Sequence, residues 1–411
     1  MSKKQLFYRN QISVKHLDKK YLSNLSKKFN NIFPNIVNEI NNPKKTLNIL
    51  SKNFEFNFSF KDLKQFKKFK DIAIIGMGGS ILGAEAIYKF LKPKVKNQIH
   101  FFDDINESAI NKFKRKNLNN VLFLVISKSG NTTETVSNLF ALKIIKKNAK
   151  NIIFISENTN NLLNTLSKKL NLTYIHHKKF VGGRYSVLSE VGVIPLYFMD
   201  LNFKKLRAKT QSFLRGSKRL FLKQSAINLA CLLKKKKMNN LIFLNYSPEL
   251  EKFLFWCQQL IAESLGKKGL GFLPIISNVP KDHHSLLQLY LDGPKDKLFY
   301  IFSSDNKSKI KINTAKITKK NFFLNNKSLN EIKFYQKEAL KKALNKNKIP
   351  FREFHINTFS EDILGEMFSY FILETVIIAK LVNIDPFDQP AVEQVKTYTK
   401  NYLTKNAKYN F

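Results

Sequence analysis

The segment VLFLVI (Val121–Ile126), running directly into SKSGNTTET (Ser127–Thr135), decides how this chain folds. Six consecutive apolar residues mark a strand buried on both faces, the pattern of a parallel sheet rather than of a half-solvated antiparallel one. The segment that follows carries five hydroxyl side chains and a lysine before the pattern turns helical. Hydroxyls and backbone N–H groups at the carboxyl end of a strand, with a helix N-terminus behind them, form a cup for an anion. The plainer alternative is an overbuilt helix cap, with Thr132 or Thr133 supplying the capping oxygen. One or two hydroxyls would serve for that, and five favour a phosphate group.

Upstream, the apolar run Asp71–Ile75 enters the loop GMGGSILG (Gly76–Gly83), and Ile81–Leu91 reads as a helix. The glycines let backbone amides approach an anion, and a tight turn is the simpler reading. A dinucleotide-binding loop is a rival, supported by Asp103 and Asp104 at the end of a later strand. It requires glycine where Ile81 stands. Further buried strands are expected at Ile99–Phe102 and Asn151–Ile155.

A second series follows, with strands expected at Leu241–Leu244, Gly271–Ile276, Leu298–Phe302 and Phe351–Ile356. Helices are expected at Ser225–Leu233, Pro248–Leu265, Asn330–Asn345 and Asp362–Val382, with a last one opening after Pro386. Strands alternating with helices of this length predict α/β architecture: two doubly wound parallel-sheet domains, a helical N-terminus and a C-terminal helix. The expected division is 1–55 (helical segment), 56–204 (first domain, phosphate binding), 205–384 (second domain) and 385–411 (C-terminal helix). Leu17, Leu22 and Leu25 stand at helical spacing in the first of these.

The 411 residues include 71 Lys and Arg against 30 Asp and Glu, a formal charge of +41. The lysines are spread along the chain and accompanied by Asn, Ile and Phe, the pattern of a compositional bias rather than of a nucleic-acid footprint. No specific nucleic-acid partner is expected, although a positive field helps gather small anions. Cys231 and Cys257 lie in apolar surroundings without a CxxC motif and read as reduced core residues. The N-terminal residues lack an apolar signal region, and the most apolar stretch, Phe368–Ile384, is interrupted by Glu374 and Lys380. A cytoplasmic location without membrane association is the expectation.

The pair GMGGSILG and SKSGNTTET resembles the phosphate-side motifs of phosphoglucose isomerases, members of the sugar-isomerase (SIS) domain superfamily. Four later segments agree in order: GGRYS (Gly182–Ser186), QQLIAESLGK (Gln258–Lys267), KDHHSLLQL (Lys281–Leu289) and PFDQPAVEQVK (Pro386–Lys396). The resemblance implies interconversion of glucose 6-phosphate and fructose 6-phosphate through an enediolate, with no cofactor and no metal. It implies Glu263 as the base that moves the proton between C2 and C1. Glu263 stands near the end of an apolar helix, where partial desolvation suits a carboxylate to proton transfer. His284, rather than its neighbour His283, matches the histidine that opens the sugar ring. In the family it is donated across a homodimer interface. Arg184 matches the cation at the enediolate, and Lys396 matches the lysine that assists ring opening. Gly79, Ser80, Ser127, Lys128, Ser129 and Thr132 would grip the phosphate, and Gln389 would contact the sugar.

Departures are few. The chain is shorter than many members, Ala262 stands before the base where many carry Met, and Ser129-Gly130 stands where some have Thr-Phe. Two further readings stay open: an isomerase that also accepts mannose 6-phosphate, and a non-catalytic sugar-phosphate-binding regulator on the same domains. The regulator has no need to keep Glu263, His284, Arg184 and Lys396 together.

Overall fold

The computed structural model describes residues 6–305, 310–314, 317 and 322–404. An N-terminal strand, β1 (Leu6–Gln11), precedes the long helix Lys19–Asn41. Then come β2 (Asp71–Ile75), β3 (Gln98–Phe102), β4 (Val121–Ile126), β5 (Ile152–Glu157) and β6 (Thr173–His177). These five form a parallel sheet in the order β3-β2-β4-β5-β6. The chain continues through β7 (Asn240–Asn245), β8 (Leu273–Asn278), β9 (Lys297–Ser304) and β10 (Phe351–Ile356). The second sheet runs β1-β10-β9-β7-β8, parallel except for β1, which lies antiparallel to β10 at one edge. The expected strands and helices are present with ends shifted by a few residues, except that the helix expected at Ser225–Leu233 runs over Gly216–Lys235.

The N-terminal segment differs from expectation: it is not helical throughout. Residues 6–11 leave it to complete the second sheet, with Leu6 opposite Ile356. A single six-residue strand at a sheet edge leaves little local signature, because its partner lies far along the chain. The helix Lys19–Asn41 contains Leu22 and Leu25, while Leu17 precedes it. Asp18 caps it by accepting from the Tyr21 amide at 2.9 Å, and Leu25, Phe29, Phe33, Ile36 and Ile40 form its buried stripe.

Residues alternate along the strands, so each sheet is covered twice. In the first sheet Ile72, Ile74, Leu122 and Leu124 face one way, while Ala73, Ile75, Phe123 and Val125 face a separate outer core. In the second sheet Leu241, Phe243, Tyr300 and Phe354 face the same central core as Ile72 and Ile74, and Ile242, Leu244, Phe299 and Ile301 face a third cluster. The central core therefore joins the two sheets. Its filling is largely the helices Leu82–Leu91, Glu251–Leu265 and Glu361–Leu381. Both cysteines are free and buried in it. Among the described residues, no helix is long and apolar enough to cross a membrane.

The core contains a buried ion pair between Arg352 and Glu374. Arg352 on β10 donates to Glu374 at 2.6 Å, to the Tyr300 hydroxyl at 2.8 Å and to the Ser225 carbonyl at 2.7 Å. Tyr370 donates to the same carboxylate at 2.8 Å. Glu374, which interrupts the apolar C-terminal stretch, is thus compensated from two directions. Arg352→Met leaves a buried carboxylate with one hydroxyl partner and is expected to cost about 3–5 kcal/mol. Urea unfolding measures this, and Glu374→Leu added to that variant should recover much of the loss.

Candidate active site

The site is built where loops leaving the first sheet meet the helix Glu251–Leu265 of the second series. The loops after β2 and β4 leave neighbouring strands at their carboxyl ends, the position where parallel sheets of this order bind ligands. The two glycines of the first loop have specific packing roles. Gly78 has φ +51°, and a Cβ there would come within 2.7 Å of Gln259 Nε2. A Cβ on Gly79 would fall 2.1 Å from the Gly183 carbonyl carbon and 2.5 Å from the Arg184 nitrogen. Gly79 therefore lets the loop bearing Arg184 lie directly against the first loop. Ser186 closes the contact by donating to the Gly79 carbonyl at 3.2 Å.

Arg184 is 2% exposed, and its five N–H groups all have acceptors. Nε donates to Ser264 Oγ at 2.8 Å, and Nη1 donates to Glu263 at 3.1 Å and to Gln389 at 2.8 Å. Nη2 donates to the carbonyls of Pro386 at 2.5 Å and Asp388 at 3.0 Å. The guanidinium thus gathers Glu263, Gln389 and the Gly182–Arg184 turn, segments far apart in sequence. Tyr185 reinforces it, with its hydroxyl donating to the Pro386 carbonyl at 2.9 Å and lying 2.8 Å from Ser264 Oγ. Burial pushes the Tyr185 hydroxyl's pKa up, opposed by the Arg184 charge, so it remains a donor.

Glu263 is half-buried on the last turn of its helix. Its second oxygen accepts from Gln259 Nε2 at 2.9 Å. Gln259 is one turn back on the same helix face, a spacing that sequence could have flagged. Its Oε1 is buried and has no hydrogen-bond partner among the described residues.

In the second loop Ser127 Oγ lies 2.8 Å from Thr132 Oγ1, and Ser129 Oγ lies 3.5 Å from it. Thr132 occupies the N-cap of the helix Thr133–Ala141 yet makes no side-chain cap bond. Its hydroxyl is turned into the cup, against the plain capping alternative. Gly130, at φ +67°, makes the turn, and a Cβ there would strike Asn161. Lys128 is drawn aside to Glu157 at 3.3 Å. Ser80 is half-buried at the end of the first loop.

The two histidines separate clearly. His283 is half-buried with Nε2 3.0 Å from the Tyr246 hydroxyl, and burial and the neighbouring His284 lower its pKa, opposed by Asp282. His284 is exposed in the short turn after β8. No hydrogen bond within the chain links it to Glu263 or Arg184 among the described residues. Lys396 is likewise apart. It lies on the exposed helix Val392–Thr404 and pairs with Glu393 at 2.8 Å. The monomer therefore brings together Gly79, Arg184, Glu263 and Gln389, and separately Ser127, Ser129 and Thr132. It leaves His284 and Lys396 outside.

A further support was not apparent from the sequence. His177, at the end of β6, has Nδ1 2.8 Å from Glu190 and Nε2 3.0 Å from the Val181 carbonyl. Glu190 also accepts from the Lys178 amide at 3.1 Å. Burial works against this carboxylate's charge, but its bonds to His177 hold its pKa below the usual range. The pair fixes the strand that leads into Gly182–Arg184.

The family model described as phosphoglucose isomerase matches residues 9–410. The chain belongs to the phosphoglucose isomerase family. Among similar proteins, the probable glucose-6-phosphate isomerase of Methanococcus maripaludis is 32% identical, covering 89% of this chain and 85% of the relative. The glucose-6-phosphate isomerase of Campylobacter jejuni is also 32% identical, covering 87% of this chain and 90% of its own length. A crystal structure of a glucose-6-phosphate isomerase from Chlamydia trachomatis superposes with TM-score 0.80 at 18% identity. It covers 100% of this chain and 90% of that one, a likeness of fold.

Proposed function

We propose that this phosphoglucose isomerase family member interconverts glucose 6-phosphate and fructose 6-phosphate with Glu263 as the proton-shuttling base, in a site completed by a second copy of the chain. The observation that carries the assignment is the 3.1 Å contact between Glu263 and the buried Arg184, at the junction of loops and helix. Glu263 takes the proton from C2 and returns it to C1. The C1 carbonyl becomes a hydroxyl as the C2 hydroxyl becomes a carbonyl. Negative charge developing on the enediolate oxygens is met by the fixed guanidinium, whose orientation is set before reaction. Gln259 Oε1, a buried acceptor beside the base, suits a sugar hydroxyl.

The hydroxyl cup of Ser127, Ser129 and Thr132 binds the phosphate, with Ser80 and the Gly79 backbone at its rim. Holding the dianion orients the reacting carbons, so binding energy remote from the chemistry contributes to rate. Lys128 contributes by long-range charge while paired with Glu157. His284, exposed and apart from Glu263, opens the ring of substrate bound to the neighbouring subunit. Lys396 acts from the C-terminal helix once that helix packs down, its exposed Val392, Val395 and Tyr398 providing an apolar surface to do so.

Subunit mixing tests the shared site. Glu263→Gln and His284→Ala homodimers are each expected to be nearly inactive in a coupled assay converting fructose 6-phosphate. Unfolded together and refolded, they should regain about a quarter of wild-type activity: half the dimers are mixed, and each mixed dimer holds one intact site in two. Mixtures no more active than their parents would place Glu263 and His284 in the same subunit's site.

A further inference from the structure

The two sheets share a plan. In the first, the chain starts in β2, crosses to β3 at one edge, then returns to build β4 and β5 on the other side. In the second it starts in β7, crosses to β8, then returns to build β9 and β10. The counterpart of the β2/β4 junction, where the hydroxyl cup lies, is therefore the β7/β9 junction. A cavity of about 110 Å³ opens there, lined by Tyr246 after β7, Ser303 and Ser304 at the end of β9, His355 on β10, and Lys333 and Lys337 from the helix Leu329–Lys346.

The strand ends repeat the chemistry of the cup as well as its position. Ser303 Oγ lies 2.9 Å from His355 Nδ1 and accepts from Lys337 at 3.5 Å. Ser304 Oγ lies 2.8 Å from Ser247 Oγ. Lys337 is 4% exposed, an unusual place for an ammonium group. The charged residues that line the cavity itself are two lysines, Lys333 and Lys337, against one carboxylate, Asp305. Lys337 and Lys341 share Glu338 and Glu353, with Nζ to carboxylate distances of 3.0–3.6 Å. Asp305, which also lines the cavity, is engaged by His355 Nε2 at 2.9 Å. Lys333 remains, half-buried and without an acidic partner among the described residues.

We infer that this crevice is a second, non-catalytic site for the phosphate head of a small metabolite. Lys333 and Lys337 supply the charge, and the Ser303 and Ser304 hydroxyls supply directed donors on turning away from His355 and Ser247. The parallel with the first sheet rests on the phosphate reading of Ser127–Thr132, while the lysine-lined cavity stands independently of it. The volume admits a phosphate group and leaves the remainder of a sugar phosphate outside. Tyr246 joins this crevice to the His283–His284 turn through its bond to His283.

Equilibrium dialysis of the full-length chain against radiolabelled inorganic phosphate at physiological salt tests this. Wild type is expected to bind two phosphates per chain. Lys333→Glu should bind one, with kcat and KM for fructose 6-phosphate measured in low-phosphate buffer unchanged. Ser304→Ala should keep both sites but weaken the second by about fivefold, the net worth of one hydrogen bond. Ser127→Ala should weaken the other site and raise KM. One phosphate in wild type, lost in Ser127→Ala and indifferent to Lys333→Glu, would overturn the inference and leave the active-site reading intact. Numerous weak sites that ignore Lys333 would overturn it too, as diffuse attraction to a lysine-rich surface. Loss of one site in Lys333→Glu, with KM unmoved by Ser127→Ala, would support the second crevice and remove the phosphate role from the first.

Discussion

Glu263→Gln lowers kcat for fructose 6-phosphate by at least about a hundredfold, the scale of a lost general base. The substitution suits the surroundings. A glutamine oxygen can still accept from Arg184, where the carboxylate accepts at 3.1 Å. The side chain is isosteric, and Gln259 can turn its amide to remain bonded. Substrate affinity should therefore change little, and the loss should fall on the proton transfer itself. Exchange of the C2 proton with deuterated solvent is the direct measurement. Wild type should wash label into the sugar phosphate, and Glu263→Gln should do so at least about a hundredfold more slowly. A variant that keeps full exchange while losing net isomerisation would move the base elsewhere and leave Glu263 as a holder of Arg184.

Arg184→Lys is expected to be almost as severe, despite keeping the charge. The guanidinium makes five bonds in one plane, to Ser264, Glu263, Gln389 and the carbonyls of Pro386 and Asp388. A lysine ammonium has three donors and no fork, so at least two of these acceptors lose their partner. The catalytic component should be a fall of about 10²–10³ in kcat, the usual effect of removing an oriented donor at developing negative charge. The lost hydrogen bonds to the Pro386 and Asp388 carbonyls should lower thermal stability as well. Measuring kcat well below the melting temperature separates the two effects. A variant with a lowered Tm and normal kcat would make Arg184 a positioning residue only.

Much of this was legible in the sequence because apolar runs and glycine-rich junctions are local signals. Val121–Ile126 is a strand buried on both sides, and Asp362–Val382 closely outlines the helix found at Glu361–Leu381. The hydroxyl cup was legible for the same reason, since all its members lie within one turn. Less visible were features that need a distant partner. TYIHH (Thr173–His177) has no strong strand pattern, and pairing with β5 makes it a strand. The number of bonds made by Arg184 depends on Pro386–Gln389, about half the chain away. His177 and Glu190 meet across a turn and a short helix, without any periodicity to announce them. Conversely, the motif around Lys396 was readable while its place was not. The helix Val392–Thr404 lies exposed on the chain, and only what it packs against decides where that lysine acts.

The N-terminal strand bears on how the protein is made. Leu6–Gln11 leaves the ribosome before the other described strands, but its partner Phe351–Ile356 emerges only after all of them. The second sheet thus keeps one edge unfinished through most of elongation, while the first sheet, contiguous from Asp71 to His177, can assemble early. Closing the late edge joins the first described strand to the last, a clasp of very high contact order. Until it closes, two complementary edges on every nascent molecule are available to neighbours on the same polysome. An extension fused before Leu6 would therefore burden the last assembly step and leave the first sheet's maturation untouched.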